Sequence, residues 1–144
     1  MDSFNNRAWS QLSAEVVSPD GKCCARIAWA NEIAMGGPTF GTLEVCEKAF
    51  ESCNPCMVWS EDSKYLAVAQ LHARPTLGRG SCRILVFAVE SGRDGYGRQD
   101  YMLPCLQEFS KGVITGISLG KQGEPRTFRI PLDTISWQDP DLPM

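Results

Sequence analysis

Residues 16–25, VVSPDGKCCA, return 42 positions later as residues 58–67, VWSEDSKYLA. Five of the ten aligned positions are identical, namely Val16 and Val58, Ser18 and Ser60, Asp20 and Asp62, Lys22 and Lys64, and Ala25 and Ala67. A fixed period of 20–50 residues is typical of folds built from stacked copies of one structural unit. The repeat therefore predicts at least two copies of the same unit.

Each copy centres on turn-forming residues between two short runs of strand-forming residues. Pro19 presets the first corner of the turn, Asp20 can bond its own backbone, and Gly21 tolerates a positive φ. The flanking runs are Ala14–Val17 and Cys23–Ala30 in the first copy, and Cys56–Ser60 and Tyr65–Leu71 in the second. Each copy thus predicts an antiparallel hairpin.

A third strand completes each predicted unit. Cys82–Val89 is short, apolar and rich in β-branched residues, which favours a buried strand over a helix. Its counterpart is Gly41–Glu47, and the same shift aligns Leu43 with Leu85 and Gly36 with Gly78. The units then cover about residues 14–47 and 56–92.

The rest of the chain, residues 93–144, is predicted as an irregular β part of the same single domain, 1–144. Val113–Leu119 and Pro125–Ile130 alternate like half-buried strands, whereas Tyr101–Leu106 is apolar but interrupted by proline. A short helix could occupy Phe50 or its neighbours, but no sustained helical periodicity occurs, so we expect little helix.

The repeated residues resemble the blades of β-propellers of the TolB and WD40 kind. The resemblance rests on Val17–Lys22, Trp59–Ala67 and Ile84–Gly92. A closed propeller has four to eight blades of roughly 40–45 residues, and this chain has room for about three. The resemblance therefore implies an all-β fold with two to three blade-like antiparallel sheets, packed as a sandwich or as an incomplete propeller.

Composition and charge exclude several classes of function. Fourteen Lys and Arg residues stand against seventeen Asp and Glu, a net charge of −3. Nucleic acids and anionic membranes need a positive surface, so we expect neither as a partner. The longest apolar run, Ile84–Val89, is far shorter than the roughly 20 residues of a membrane span. The N-terminus lacks a secretory pattern, so we expect a soluble, cytoplasmic protein.

The seven cysteines are an odd number, so at least one thiol stays unpaired within the chain. For most of them we expect buried free thiols in a reducing compartment. Cys53 and Cys56 have the spacing of a redox pair or of half a zinc site, but no second C-x-x-C follows and strand residues come directly after them. We expect no cofactor and no metal, with zinc at this pair left open.

No catalytic motif stands out, which favours a non-enzymatic binding protein. Residues 116–122 fall one residue short of a phosphate loop and lack its Ser or Thr. His72 is the only imidazole. Residues 1–72 carry a net charge of −4 and residues 73–144 a net charge of +1. This asymmetry fits either solvated loop charges or a bipolar surface that docks a charged protein, and sequence order does not decide between them.

By analogy, the chain resembles small bacterial immunity proteins, which neutralise a toxin, often a basic nuclease, by covering its active site. The predicted partner-binding residues are acidic in the first half and mixed in the loop before residue 101: Glu44, Glu47, Glu51, Glu61, Asp62, Arg93, Asp94, Tyr96, Arg98 and Tyr101. The alternatives are a scaffold that assembles with copies of itself into a homo-oligomer, and a hydrolase with a site on its loops.

Overall fold

The computed structural model describes residues 12–32, 39–72 and 81–138. The described residues form eleven strands and one 3₁₀ turn at Leu132–Thr134: β1 Ala14–Val17, β2 Cys24–Glu32, β3 Thr39–Val45, β4 Lys48–Trp59, β5 Tyr65–Leu71, β6 Ser81–Ala88, β7 Arg93–Tyr96, β8 Tyr101–Ser110, β9 Val113–Leu119, β10 Pro125–Pro131 and β11 Ser136–Trp137. The all-β prediction with little helix is confirmed. The helix predicted at Phe50 is wrong, because Phe50 pairs with Leu43 inside β4.

The strands follow one antiparallel order, β1-β2-β3-β4-β5-β6-β8-β9-β10, while β7 pairs with β6 and β11. Strand β4 pairs with β3 and then with β5, and its register shifts between Cys53 and Met57. The sheet is thereby divided into a first layer (β1–β3 and the start of β4), a middle layer (the end of β4 with β5–β7) and a third layer (β8–β10).

The core lies on both faces of the middle layer. Successive side chains of a strand point to opposite faces. Leu66 and Val68 of β5 join a cluster with Ile27 and Leu43 of the first layer. The intervening Ala67 joins a second cluster with residues of the third layer, including Ile114, Phe128 and Ile130. The first and third layers therefore pack on opposite sides of the middle one.

The repeated turns form the same hydrogen bonds. Ser18 Oγ donates to Asp20 Oδ1 (2.6 Å) and accepts from the Cys23 amide (3.1 Å). In the second copy Ser60 Oγ donates to the carboxylate of Asp62 (2.6 Å) and accepts from the Tyr65 amide (3.0 Å). The two aligned turns therefore have the same local structure.

The two turns also touch each other. The Asp20 amide donates to Ser63 Oγ (2.9 Å), and Trp59 Nε1 donates to the Val16 carbonyl (2.9 Å). Both contacts join residues 43 positions apart. The two copies are therefore stacked neighbours.

The register corrects one detail of the repeat. Ala25 pairs with Val45, whereas its equivalent Ala67 pairs with Val86. The shift between copies is therefore 42 along the hairpin but 41 along the third strand. The structural counterpart of Leu43 is Ile84 and not Leu85, because a β-bulge between Ala28 and Asn31 gives β2 one extra residue that β5 lacks. Gly36 and Gly78 lie outside the described residues.

The cysteines follow the prediction in part. Cys53, Cys56, Cys82 and Cys105 are buried thiols outside any disulfide, as expected. Cys24 is free but exposed, since it lies on the solvent side of β2. Cys23 and Cys46 form a disulfide, which links the start of β2 to the β3–β4 turn. In the part of the chain that the structure describes, no helix is long and apolar enough to span a membrane.

Candidate functional site

The solvent side of the first layer differs sharply from the equivalent side of the middle layer. We call the solvent side of β1–β4 in the first layer the outer face. It exposes Glu15, Val17, Cys24, Arg26 and Glu44. Their counterparts in the second copy are Met57, Trp59, Leu66, Val68 and Leu85, all of which are buried. The first copy therefore replaces a packing surface with a mainly polar one.

Charged side chains form a row across this face. Glu15 pairs with Arg26, and Arg26 in turn pairs with Glu44, across three neighbouring strands. Arg26 Nη2 lies 4.0 Å from Glu44 Oε1, with both side chains more than half exposed. Such exposed pairs contribute about 0–1 kcal/mol. The carboxylates of the row thus stay available to a partner.

Three of the predicted partner-binding acids meet here. Glu44 and Glu47 line a shallow cleft of about 400 Å³ together with Glu15. Glu44 and Glu51 line a neighbouring cleft of about 520 Å³. Glu47 lies in the two-residue β3–β4 turn at positive φ, which leaves its side chain exposed.

Glu15 is the member of this face that sequence reasoning missed. The sequence contained a signal for Glu15: the turn at Ser18 sets the register of the β1–β2 hairpin, and this register places Glu15 opposite Arg26. Arg26 and Lys48 are the cations that line the same cleft. Four carboxylates against these two cations leave the outer face acidic.

The other two acids predicted in the first half of the chain, Glu61 and Asp62, lie in the second turn. Glu61 accepts hydrogen bonds from Ser110 Oγ (3.1 Å) and from the Lys111 amide (2.6 Å). Asp62 is bound by Ser60 Oγ, and this hydrogen bond is the main reason why the pKa of Asp62 is lowered from its ordinary value. Glu61 thus ties the β4–β5 turn to the β8–β9 turn, whereas Asp62 bonds within its own turn. Neither residue lines the two outer-face clefts.

The two predicted tyrosines pack against the protein. The Tyr96 hydroxyl donates to Asp94 Oδ2 (2.7 Å), and Arg83 Cζ lies 3.7 Å from the centroid of the Tyr96 ring. Burial, helped by Asp94, raises the pKa of Tyr96 to about 12. Tyr101 stacks on Phe128 with ring centroids 4.4 Å apart, and burial raises its pKa. Whether any of them binds a partner stays a prediction.

Arg98 is exposed and Arg93 half-buried. Arg93 Nε donates to the Gln138 carbonyl (3.0 Å), which fixes the side chain at one end of β7. Arg93 also lines a cleft of about 700 Å³, together with Tyr65, Lys111, Asp133 and Trp137. We call this the β7 cleft.

His72 has one strong partner. Its Nδ1 lies 2.8 Å from Asp100 Oδ2, and Ser81 Oγ donates to the same oxygen (3.3 Å). A hydrolase triad needs the hydroxyl on the histidine, so that the imidazole can take its proton. Here Ser81 bonds the carboxylate instead, which does not reproduce that geometry.

The cysteine pair does not form a common site. Cys53 Sγ contacts the Glu51 carbonyl, whereas Cys56 Sγ lies 3.7 Å from Cys105 Sγ. The hydrogen bond with Cys105, then burial, raises the pKa of Cys56, and burial raises the pKa of Cys53 to about 12. Among the described residues, no three His, Cys, Asp or Glu side chains are grouped to hold a metal ion. Protonated, buried thiols of this kind are poor nucleophiles and poor metal ligands.

Comparison with known proteins finds no matching family model, no matching curated protein and no matching solved structure.

Proposed function

We propose that this chain is a non-enzymatic protein-binding module whose outer face holds a basic protein partner. The best candidate for that partner is a bacterial toxin, with the chain acting as its immunity protein by covering the toxin's active site. The observation that carries the proposal is the mainly polar outer face of the first copy, at positions whose counterparts in the second copy form a packing surface.

Equivalent positions of the two copies have different surroundings. A stacked unit without a neighbour must present a polar surface, as terminal repeats of stacked proteins do. A balanced mixture of acidic and basic residues would be enough to keep this surface soluble. The outer face has an excess of acids instead, with Glu15, Glu44, Glu47 and Glu51 against Arg26 and Lys48. A surface acidic on balance speeds encounter with a basic partner and suppresses encounter with acidic ones.

The same face argues against the alternative of self-assembly. Joining copies end to end would bring one outer face onto another surface of the same chain, and buried carboxylates without paired cations are costly. We therefore propose a monomer of 15.9 kDa in the absence of the partner. Light scattering that returns a stable multiple of this mass would favour the homo-oligomeric scaffold instead.

The experiment compares two variants with the same change in charge. The outer-face variant is Glu44→Lys with Glu51→Lys, and the matched control is Glu90→Lys with Glu108→Lys, which replaces exposed acids elsewhere. Each protein is used to capture partners from a lysate of the source cells at low and moderate salt. We expect one stoichiometric basic partner that the outer-face variant loses and the control keeps.

The toxin part of the proposal is tested with the captured partner. Expressed alone it should stop growth, and co-expression of this chain should restore growth while the outer-face variant should not. Rescue by the outer-face variant would contradict the outer face as the binding surface. A captured partner that is harmless when expressed alone would contradict the immunity function and leave a different binding role.

Cytoplasmic location belongs to the same proposal and has its own check. A reducing cytoplasm keeps thiols free. If the chain resides there, Cys23 and Cys46 should both be alkylated in rapidly quenched cells and form their disulfide only after purification. Full protection of both from alkylation in such cells would indicate an oxidising compartment.

A further inference from the structure

We propose that the β7 cleft is a separate binding site for a carboxylate attached to an apolar group. The cleft holds about 700 Å³, within the range of roughly 300–1,000 Å³ that small-ligand sites occupy. It lies between the middle and third layers and is independent of the outer face.

The charge of the cleft calls for a single negative group. Arg93 and Lys111 both line it, against the one carboxylate of Asp133. Among the described residues, neither cation has an ion-pair partner within 4.0 Å. Glu61 touches Lys111 through the backbone amide and not through the ammonium group, and its other oxygen accepts from Ser110. One net positive charge matches a monoanion, and charge-assisted hydrogen bonds to a carboxylate are among the strongest that proteins make.

Two contacts hold the cationic side in position. Arg93 is fixed by the bond from its Nε to the Gln138 carbonyl. Lys111 lies in the tight β8–β9 turn at positive φ, and Glu61 binds its amide at 2.6 Å. Such anchoring lowers the entropy lost when a ligand is bound.

The remaining wall of the cleft is apolar. The ring of Tyr65 lies 6.0 Å from that of Trp137 and 6.1 Å from that of Phe109, which packs behind it. Val113, Pro131 and Leu132 complete this side. A rigid aromatic wall beside two cations suits a group with an apolar arm and one carboxylate. Two sources share this chemistry: a small aromatic or aliphatic acid, and the C-terminal residue of a peptide.

The test uses acetyl-phenylalanine with a free carboxylate and its amide as probes, and follows binding by the NMR signal of the Trp137 indole. The signal is assigned with the variant Trp137→Phe. We expect the acid to bind and the amide to bind at least about tenfold more weakly. Equal binding of the two would overturn the carboxylate site, and no shift with either probe at millimolar concentration would overturn the ligand site altogether.

Variants of the lining residues sharpen this result. Lys111→Gln and Arg93→Gln should each weaken binding of acetyl-phenylalanine about tenfold. The control Arg129→Gln removes an exposed cation of β10 outside the cleft and should leave that binding unchanged. Asp133→Asn should strengthen binding, since it removes the opposing carboxylate. Equal weakening by Arg129→Gln would mean general charge attraction, and would contradict the site.

A longer probe separates the two sources. If acetyl-Gly-Gly-Phe binds more tightly than acetyl-phenylalanine, the cleft recognises a peptide C-terminus. Equal affinities indicate a small acid. The Glu44→Lys, Glu51→Lys protein should bind both probes normally, so the failure of this site and of the outer face can be told apart.

Discussion

The two copies of the repeat have the same turn and opposite surroundings. Ser18 and Ser60 form the same pair of hydrogen bonds in their turns, and both are buried. Beyond the turn, Arg26 is exposed where its equivalent Val68 is fully buried, and Glu44 is exposed where Leu85 is fully buried. The residues of the turn thus form the same local structure in both copies. Whether a strand residue is apolar or charged depends instead on whether another layer covers that side of its copy. Among the described residues, the first copy is covered on one side only, and its exposed side bears the charge.

The largest expected effect on the free energy of unfolding comes from exchanging the equivalent residues Arg26 and Val68 between the two copies. Val68→Arg buries a charge among apolar side chains, and we expect it to cost more than about 4 kcal/mol and to prevent stable folding. Arg26→Val should change the free energy of unfolding by less than about 0.5 kcal/mol. Urea unfolding followed by far-UV circular dichroism measures both.

If Val68→Arg yields no protein, Val68→Thr gives the graded version of the same test. It keeps the shape and adds one hydroxyl without a partner, at a cost of about 1–3 kcal/mol. A stability equal to that of the wild-type chain would mean that this position is not packed between the layers.

The next effect compares truncations at another pair of equivalent positions. Leu85→Ala should cost about 2–5 kcal/mol, because it opens a cavity in the fully buried middle layer. Glu44→Ala should stay within about 0.5 kcal/mol, because its side chain is exposed and its ion pair is loose. The two unfolding midpoints in urea check this, and similar losses would contradict the difference between the layers.

A third comparison tests the turn serines, which have the same hydrogen bonds in both copies and should contribute equally to stability. Ser18→Ala and Ser60→Ala each remove one donor and leave a backbone amide without its acceptor, so each should cost about 1–2 kcal/mol. Thermal unfolding of both variants should give similar losses. A loss confined to Ser60→Ala would show that only the turn nearer the middle of the stack contributes to stability.

The smallest expected effect is the loss of thermal stability at low pH. The hydrogen bond from Ser18 lowers the pKa of Asp20 below its ordinary value of 3.8, and that from Ser60 does the same for Asp62. A folded-state pKa below that of the unfolded chain means that ionisation favours folding. This contribution is present above the unfolded value and is lost as the pH falls through the folded value.

We therefore expect the thermal midpoint of the wild-type chain to fall as the pH is lowered below about 4. The variant Asp20→Asn with Asp62→Asn should lose part of that dependence, whereas Glu90→Gln, an exposed acid outside both turns, should keep it. An unchanged slope in the double variant would show that the turn carboxylates do not couple folding to protons in this range.

Much of the fold was predictable because its signals are local. The turn residues and alternating runs predicted β1, β5 and β9 with their observed bounds. The residue-level match in the third strand failed by one position, because a β-bulge in β2 adds one residue that a fixed shift does not take into account. The acidic site was predictable in part. Glu44, Glu47 and Glu51 share a face as predicted, but Glu61 accepts a hydrogen bond from the amide of Lys111, 50 positions away in the chain.

The sequence by itself determined the strands, the hairpins and the repeated turn, since each depends on side chains and backbone within a few residues. Only the tertiary structure decided which surface of each copy is covered. That depends on how a bent β4 stacks one unit on the next, and the stacking rests on apolar contacts between residues far apart in the chain. The outer face and the β7 cleft both arise from it, because packing determines which charges stay exposed to solvent.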